Sequence, residues 1–219
     1  MQTTNSGKAW SVLFQNMKLI SCMFQNKVVF LHRILNKKVM TFDKIIEDGR
    51  LWAVRYDNDK DNALQKVMSQ WSDAGWLADF FMQNFDDLIS YFRITNIEDA
   101  IYQTMEDRDE LACIIMDISP DANLDHFFHP LENSRISEMI LGKEKGRPHR
   151  RSWLRLYAIK LSMGIYIITG GAIKLTRTMQ EREHTLQELE KMEKVRNFLL
   201  REHVFDEDSF IDYQKELEP

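Results

Sequence analysis

With 219 residues, 44% apolar and 29% charged, the chain can bury one good core, yet no window approaches the roughly 20 continuous apolar residues that a bilayer span requires. Its formal charge of −5 hides a segregation of sign: residues 1–40 carry six Lys/Arg and no acid, 41–142 carry 8 basic against 21 acidic groups, 143–182 carry 10 against 2, and 183–219 carry 5 against 11. An acidic body with one basic block points to a local anion-binding surface, or to block and body neutralising each other within the fold.

Residues 1–39 read as a leader or flexible extension, with the working protein starting near Met40. An amphipathic anchor built from KVVFLHRIL is the alternative. Leu19-Ile20-Ser21-Cys22 has the pattern of a lipoprotein cleavage site, but Gln15, Asn16 and Lys18 interrupt the apolar stretch such a site needs. Residues 40–219 read as one α+β domain: a helical part over 57–142, a basic linker over 143–151, and a β-meander with helices over 152–219.

Phe42 to Tyr56 reads as a hairpin turning at EDGR, Asp-Gly being a strong turn signal. DNDKDN then opens a helix on which Leu64, Val67, Met68 and Trp71 recur at helical spacing. Gly75 is expected to break it, and Trp76 to Leu88 form a second, apolar helix. Thr95 or Asn96 caps a third, interrupted at the charged run EDRDE and stopped at Ser119-Pro120-Asp121. Cys113, inside LACIIMDI, is expected to be a buried thiol. Cys22 and Cys113 make no disulfide framework, a composition suited to a reducing compartment, here read as cytoplasmic. His126 and His129 stand three apart without a third ligand nearby, so HFFHPL reads as a packed loop and no metal is expected. RISEMILGKEKG is a short helix leading into the mobile linker KEKGRPHRR.

From Leu154 to Ile159 apolar residues alternate with Arg155 and Tyr157, giving a strand with one polar face. SMG turns into IYIIT, and Gly170-Gly171 is expected to turn again into AIKLTR. Thr185 and Glu188 form the pattern of a helix capping box, with Leu186, Leu189, Met192, Val195 and Leu199 as the buried stripe behind it. Phe205 to Leu217 is an acidic closing helix.

Phosphate-loop, dinucleotide, nucleophile-elbow and zincin signatures are missing, which argues against nucleotide-driven and serine-hydrolase chemistry. Metal-independent RNA cleavage needs a base for the 2′-hydroxyl, a cation for the charged phosphorane and an acid for the leaving oxygen. Arg155, Tyr157, Lys160, Lys174, Arg177 and His184 supply these residue types, and no cofactor is called for. Lys143, Lys145, Arg147, Arg150, Arg151, Lys160 and Arg182 extend the basic surface as candidate nucleic-acid contacts. Each also has a plainer reading, as the solvated polar face of a half-buried strand or, for His184, as a turn residue.

The order R-x-Y, a turn, IYIITGGAIKLT, then E-L-x-K-x-x-x-x-R-x-F-L resembles the HigB-like branch of the RelE superfamily of bacterial toxins over about 50 of the 219 residues. It is also similar to proteins of gut Bacteroidetes that carry the same ITGGAIKLT stretch. The resemblance implies a compact α+β fold, a cognate antitoxin, and cleavage of messenger RNA on the ribosome. By position it makes Arg155, Lys174 and Arg177 the phosphate-contacting cations and Tyr157 or His184 a proton carrier. The chain departs from that family in its length and in its acidic overall charge. A non-enzymatic nucleic-acid or protein-binding module of a mobile element is the alternative. A third reading makes the C-terminal helices a homo-oligomer interface. The oligomeric state is unknown from sequence.

Overall fold

The Asp-Gly turn forms where its chemistry dictates. Gly49 adopts φ +78°, a conformation open to a residue without Cβ, and joins β1 (Thr41–Lys44) to β2 (Leu51–Arg55) as an antiparallel pair. The structure, a computed structural model, describes residues 40–131 and 141–217. The readings placed on residues 1–39, and on the short helix before residue 141, lie outside the described residues. Contacts divide the chain into two units, Met1–Met40 and Thr41–Pro219. The sheet and its helices belong to the second.

That second unit is mixed α/β. Its sheet has six strands in the order β1-β2-β6-β5-β4-β3, with β3 at His129–Pro130, β4 at Gly142–Gly146, β5 at Leu154–Lys160 and β6 at Tyr166–Ile173. Neighbours are antiparallel except β2 and β6, which run parallel. Between β2 and β3 come helices α1 (Ala63–Gln70), α2 (Ala74–Gln83) and α3 (Ile97–Met116); α4 (Glu183–Arg201) and α5 (Glu207–Leu217) follow β6. Among the described residues no helix is long and apolar enough to cross a membrane.

Local chemistry explains the helix starts. Asn62 and Gln65 exchange side-chain and backbone hydrogen bonds of 3.0 Å in a capping box, and Asn96 Oδ1 accepts from the Glu98 amide at 3.0 Å, satisfying donors the first turn leaves free. Helix α2 begins before Gly75, because Asp73 caps the Gly75 and Trp76 amides at 2.9 and 3.0 Å. The charged run EDRDE does not break α3. Its inward stripe, Ala100, Thr104, Asp107, Leu111 and Ile115, continues straight through. Cys113 falls off that stripe and is exposed.

The sheet is covered on both faces. On one, Trp71 at the end of α1 lies against Gly171, and Phe81 of α2 packs edge-on to Trp153 at 5.7 Å. On the other, Phe210 of α5 meets Phe42 and Trp52 at 5.6 and 5.0 Å, while Glu188 of α4 lies against Gly170. The strand β6 between them is buried at every position.

Double coverage corrects the expected meander. Gly170-Gly171 is no turn, and one strand runs through it. A Cβ at Gly170 would come within 2.0 Å of Glu188 Oε2, and one at Gly171 within 2.8 Å of both Trp71 and the Arg155 carbonyl. The glycines are there because helices approach closely from both sides. The third meander strand is instead β4, inside the stretch read as a linker, with Lys145 opposite Tyr157 and Lys143 opposite Ile159. Thr185 does not cap α4. Its hydroxyl donates to the Met179 and Arg182 carbonyls at 2.6 and 2.9 Å, and Glu188 is drawn instead to Lys191 at 2.5 Å.

Candidate functional site

Where β4 and β5 pair, alternation places Lys145, Arg155 and Tyr157 on the α4 face of the sheet. The loop from β6 to α4 closes over them. Its first residue, Lys174, still donates its amide to the Trp153 carbonyl at 2.8 Å. Its ammonium then bonds the Thr176 and Arg177 carbonyls at 2.6 and 2.5 Å. Glu181 Oε1 accepts from the Thr178 amide and hydroxyl at 2.6 and 2.8 Å. These bonds hold a loop of little apolar content in one shape and leave a pocket of about 400 Å³ beneath it.

Five cations line this pocket: Lys145, Arg147, Arg155, Lys174 and Arg177, with His129 and Tyr157 among the other walls and no carboxylate among the described lining residues. Arg155 Nη1 donates to the Ser152 and Leu154 carbonyls, both at 2.6 Å, which fixes the guanidinium plane. Tyr157 is fully buried, and its hydroxyl has no hydrogen-bond partner among the described residues. An orphaned buried hydroxyl costs free energy, and a bound ligand oxygen would satisfy it.

The charges act on one another. Burial, then Arg155 and Arg147, push the Lys145 ammonium down from its ordinary pKa; burial, then Arg155 and Lys145, do the same to Lys174. Burial first, and Arg147 next, lower Arg155. Burial pushes the Tyr157 hydroxyl far up, so it stays protonated and serves as a donor. Cations that depress each other are relieved by an anion between them.

The sign of the pH dependence follows. Lys145 and Lys174 have folded pKa values below the unfolded 10.5, so in that interval the unfolded chain binds more protons. Stability is therefore expected to rise with pH through the interval, while anion affinity falls as the two ammoniums discharge. Fluorescence anisotropy with a labelled, uncleavable deoxyoligonucleotide should show affinity declining below the ordinary lysine range. A profile flat up to that range would remove the two lysines from the site.

The structure thus brings Arg155, Tyr157, Lys174 and Arg177 together and adds Lys145 and Arg147 from the basic stretch. The other named residues stand elsewhere. His184 donates Nε2–H to the Ile173 carbonyl at 2.9 Å and packs edge-on to Phe80 at 5.1 Å, outside the pocket lining. Arg182 grips Asp87 with Nε and Nη2, both at 2.6 Å. Lys160 pairs with Asp125 at 2.6 Å, and Lys143 with Glu193 at 3.4 Å. Arg150 and Arg151 are exposed on the β4–β5 turn, where the Arg150 carbonyl accepts from Arg147 at 3.1 Å. Sequence reasoning weighs His129 only as a metal ligand. It reaches the rim because β3 pairs it with Lys145, a register that no local pattern encodes. Among the described residues no group of three or more His, Cys, Asp or Glu could hold a metal ion.

Comparison of the chain with protein-family models, with curated proteins and with solved structures gave no match.

Proposed function

We propose that the chain is a toxin-like endoribonuclease of a type II toxin–antitoxin system, cleaving RNA without a metal ion in the cationic pocket. The observation that carries this reading is the convergence of five cations on one concave site with no acid among its described walls. A docking patch for an acidic partner would be served as well by a flat spread of charge. The order of residues around β5, β6 and α4, which resembles the HigB-like branch, supports the same reading.

In this reading Arg177 and Arg147, both exposed, bind the phosphates flanking the scissile bond through their planar forks. Arg155 and Lys174 stabilise the phosphorane. The 2′-oxygen attacks phosphorus and the bond to the 5′-oxygen breaks, leaving a 2′,3′-cyclic phosphate and a 5′-hydroxyl. His129, exposed at the rim of the pocket, takes the 2′-proton. A protonated lysine, Lys145, returns one to the leaving oxygen. Tyr157 donates a hydrogen bond to a non-bridging oxygen. A cognate antitoxin would cover the pocket.

The test is induced expression of the full chain in a bacterial host, following growth and global RNA integrity together. Arrest with fragmented message, lost in His129→Ala, is the expected result. Normal growth with intact RNA, from soluble and cooperatively folded protein, would end the enzyme reading and leave the non-enzymatic binding module. The double change Lys174→Ala, Arg177→Ala is a poorer probe, since Lys174 also ties down two loop carbonyls.

A further inference from the structure

A second crevice opens at the centre of the sheet. Strands β2 and β6 are parallel neighbours, and the chain leaves their carboxyl ends in opposite directions, from β2 to α1 on one face and from β6 to α4 on the other. Their pairing ends at Ala53 and Ile168, beyond which the Tyr56 hydroxyl reaches across to donate to the Thr169 carbonyl at 2.6 Å. Open α/β sheets bind ligands where the chain leaves neighbouring parallel strands in opposite directions; here β2 ends while β6 runs on to Ile173 paired with β5, which leaves a gap beside β6. The gap forms a pocket of about 320 Å³ whose walls include Gly170, Gly171 and Glu188.

Its chemistry is two-sided. Glu188 is 6% exposed. One oxygen accepts from Lys191 at 2.5 Å, and the other is buried without a hydrogen-bond partner among the described residues. Burial pushes the pKa of this carboxyl up, against Lys191 and the Gly171 amide, which favour its charged form. Around it stand three ammoniums: Lys191, Lys66 paired with Asp59, and Lys194, which lies 5.6 Å over the Tyr56 ring. The crevice thus offers an unsatisfied carboxylate oxygen inside and an excess of positive charge over its two carboxylates. Gly170 leaves room for the Glu188 carboxylate to lie directly against the strand, at the inner wall of the crevice.

We propose that this crevice binds a ribose phosphate, with a sugar hydroxyl donating to Glu188 and the phosphate held by Lys191 and Lys194. A sugar hydroxyl fits a single free carboxylate oxygen, and a phosphate fits clustered lysines. The ligand's source is either a free sugar phosphate or a nucleotide. The site is separate from the cationic pocket and does not depend on the function proposed for it.

The experiment is isothermal titration of the full chain with ribose 5-phosphate, AMP, GMP, ribose and inorganic phosphate. Beside the phosphate binding of the cationic pocket, one site that takes at least one of the phosphorylated sugars more tightly than phosphate or ribose alone is expected. Comparable binding of ribose 5-phosphate assigns a free sugar phosphate; binding of AMP or GMP alone assigns a nucleotide. Lys191→Ala with Lys194→Ala should weaken binding at least tenfold. Glu188→Gln should weaken the sugar phosphates while leaving phosphate unchanged. Arg147→Ala with Arg177→Ala should leave binding at this site intact. No binding to cooperatively folded protein, phosphate binding as tightly as the sugar phosphates, or loss only in the Arg147/Arg177 variant would each overturn the assignment. Should Glu188→Gln fail to fold, the two lysine substitutions on the outer face of α4 still decide.

Discussion

Replacing Arg147 and Arg177 with alanine should flatten the salt dependence of RNA binding and abolish most cleavage. Both side chains are exposed, and neither makes an ion pair with a described residue; Arg147 donates one hydrogen bond, to the Arg150 carbonyl. Surface changes of this kind shift stability by no more than about 0.5 kcal/mol, so a loss of binding cannot be charged to unfolding. Each phosphate contact on a single strand contributes roughly 0.7 to the slope of log affinity against log salt. The double variant should therefore lose about 1.4 of that slope. Because the two arginines hold the flanking phosphates, their loss misplaces the scissile bond against Arg155 and Lys174, and turnover should drop by about 10²-fold. Nitrocellulose binding across a salt series measures the first effect, and single-turnover cleavage the second. An unchanged slope would mean that nucleic acid, if bound at all, lies elsewhere.

The largest effect on stability is expected where α1 meets the central strand. Trp71 is fully buried, and its ring lies on Gly171. Trp71→Ala should cost about 3–5 kcal/mol, combining lost transfer free energy with a cavity. Gly171→Ala should cost about 1–3 kcal/mol by overpacking, since its Cβ would meet both the ring and the Arg155 carbonyl at 2.8 Å. The two changes share one space. Combined, they should destabilise by less than their sum, by about 0.5–3 kcal/mol, because the new methyl occupies part of the cavity. The backbone contact persists, so the compensation stays incomplete. Urea denaturation of the four proteins of the cycle decides this. A neutral Gly171→Ala would place the glycine pair in a turn, as its local pattern suggests, rather than beneath a helix.

Those glycines show how far local pattern reaches. Alternation marks a strand only when its two faces differ. It served for β5, whose polar residues Arg155 and Tyr157 face one way. It failed for β6, which is enclosed by helices on both faces and buried throughout, so that Gly-Gly was the only punctuation left to read. Strand β4 failed for the opposite reason. Gly142 to Gly146 carries three charged residues in five and looks like solvated chain, yet Lys145 turns toward the pocket and Glu144 is buried.

From the sequence alone came what short-range chemistry decides: the Asp-Gly hairpin, the Asn96 cap of α3, the Leu64, Val67 and Trp71 stripe of α1, the segregated basic block, and Arg155 and Tyr157 on one face of a strand. Tertiary structure alone decided which strands pair. That choice brought His129 and Lys145 to the same pocket as Arg155, sent His184 to Phe80, gave Arg182 to Asp87, and opened the crevice between two parallel strands. The physical reason is range. Hydrogen-bonding and periodic preferences act over a few residues and are written locally, whereas a site assembled from β3, β4, β5 and the loop after β6 depends on long-range register, which the sum of all the packing selects.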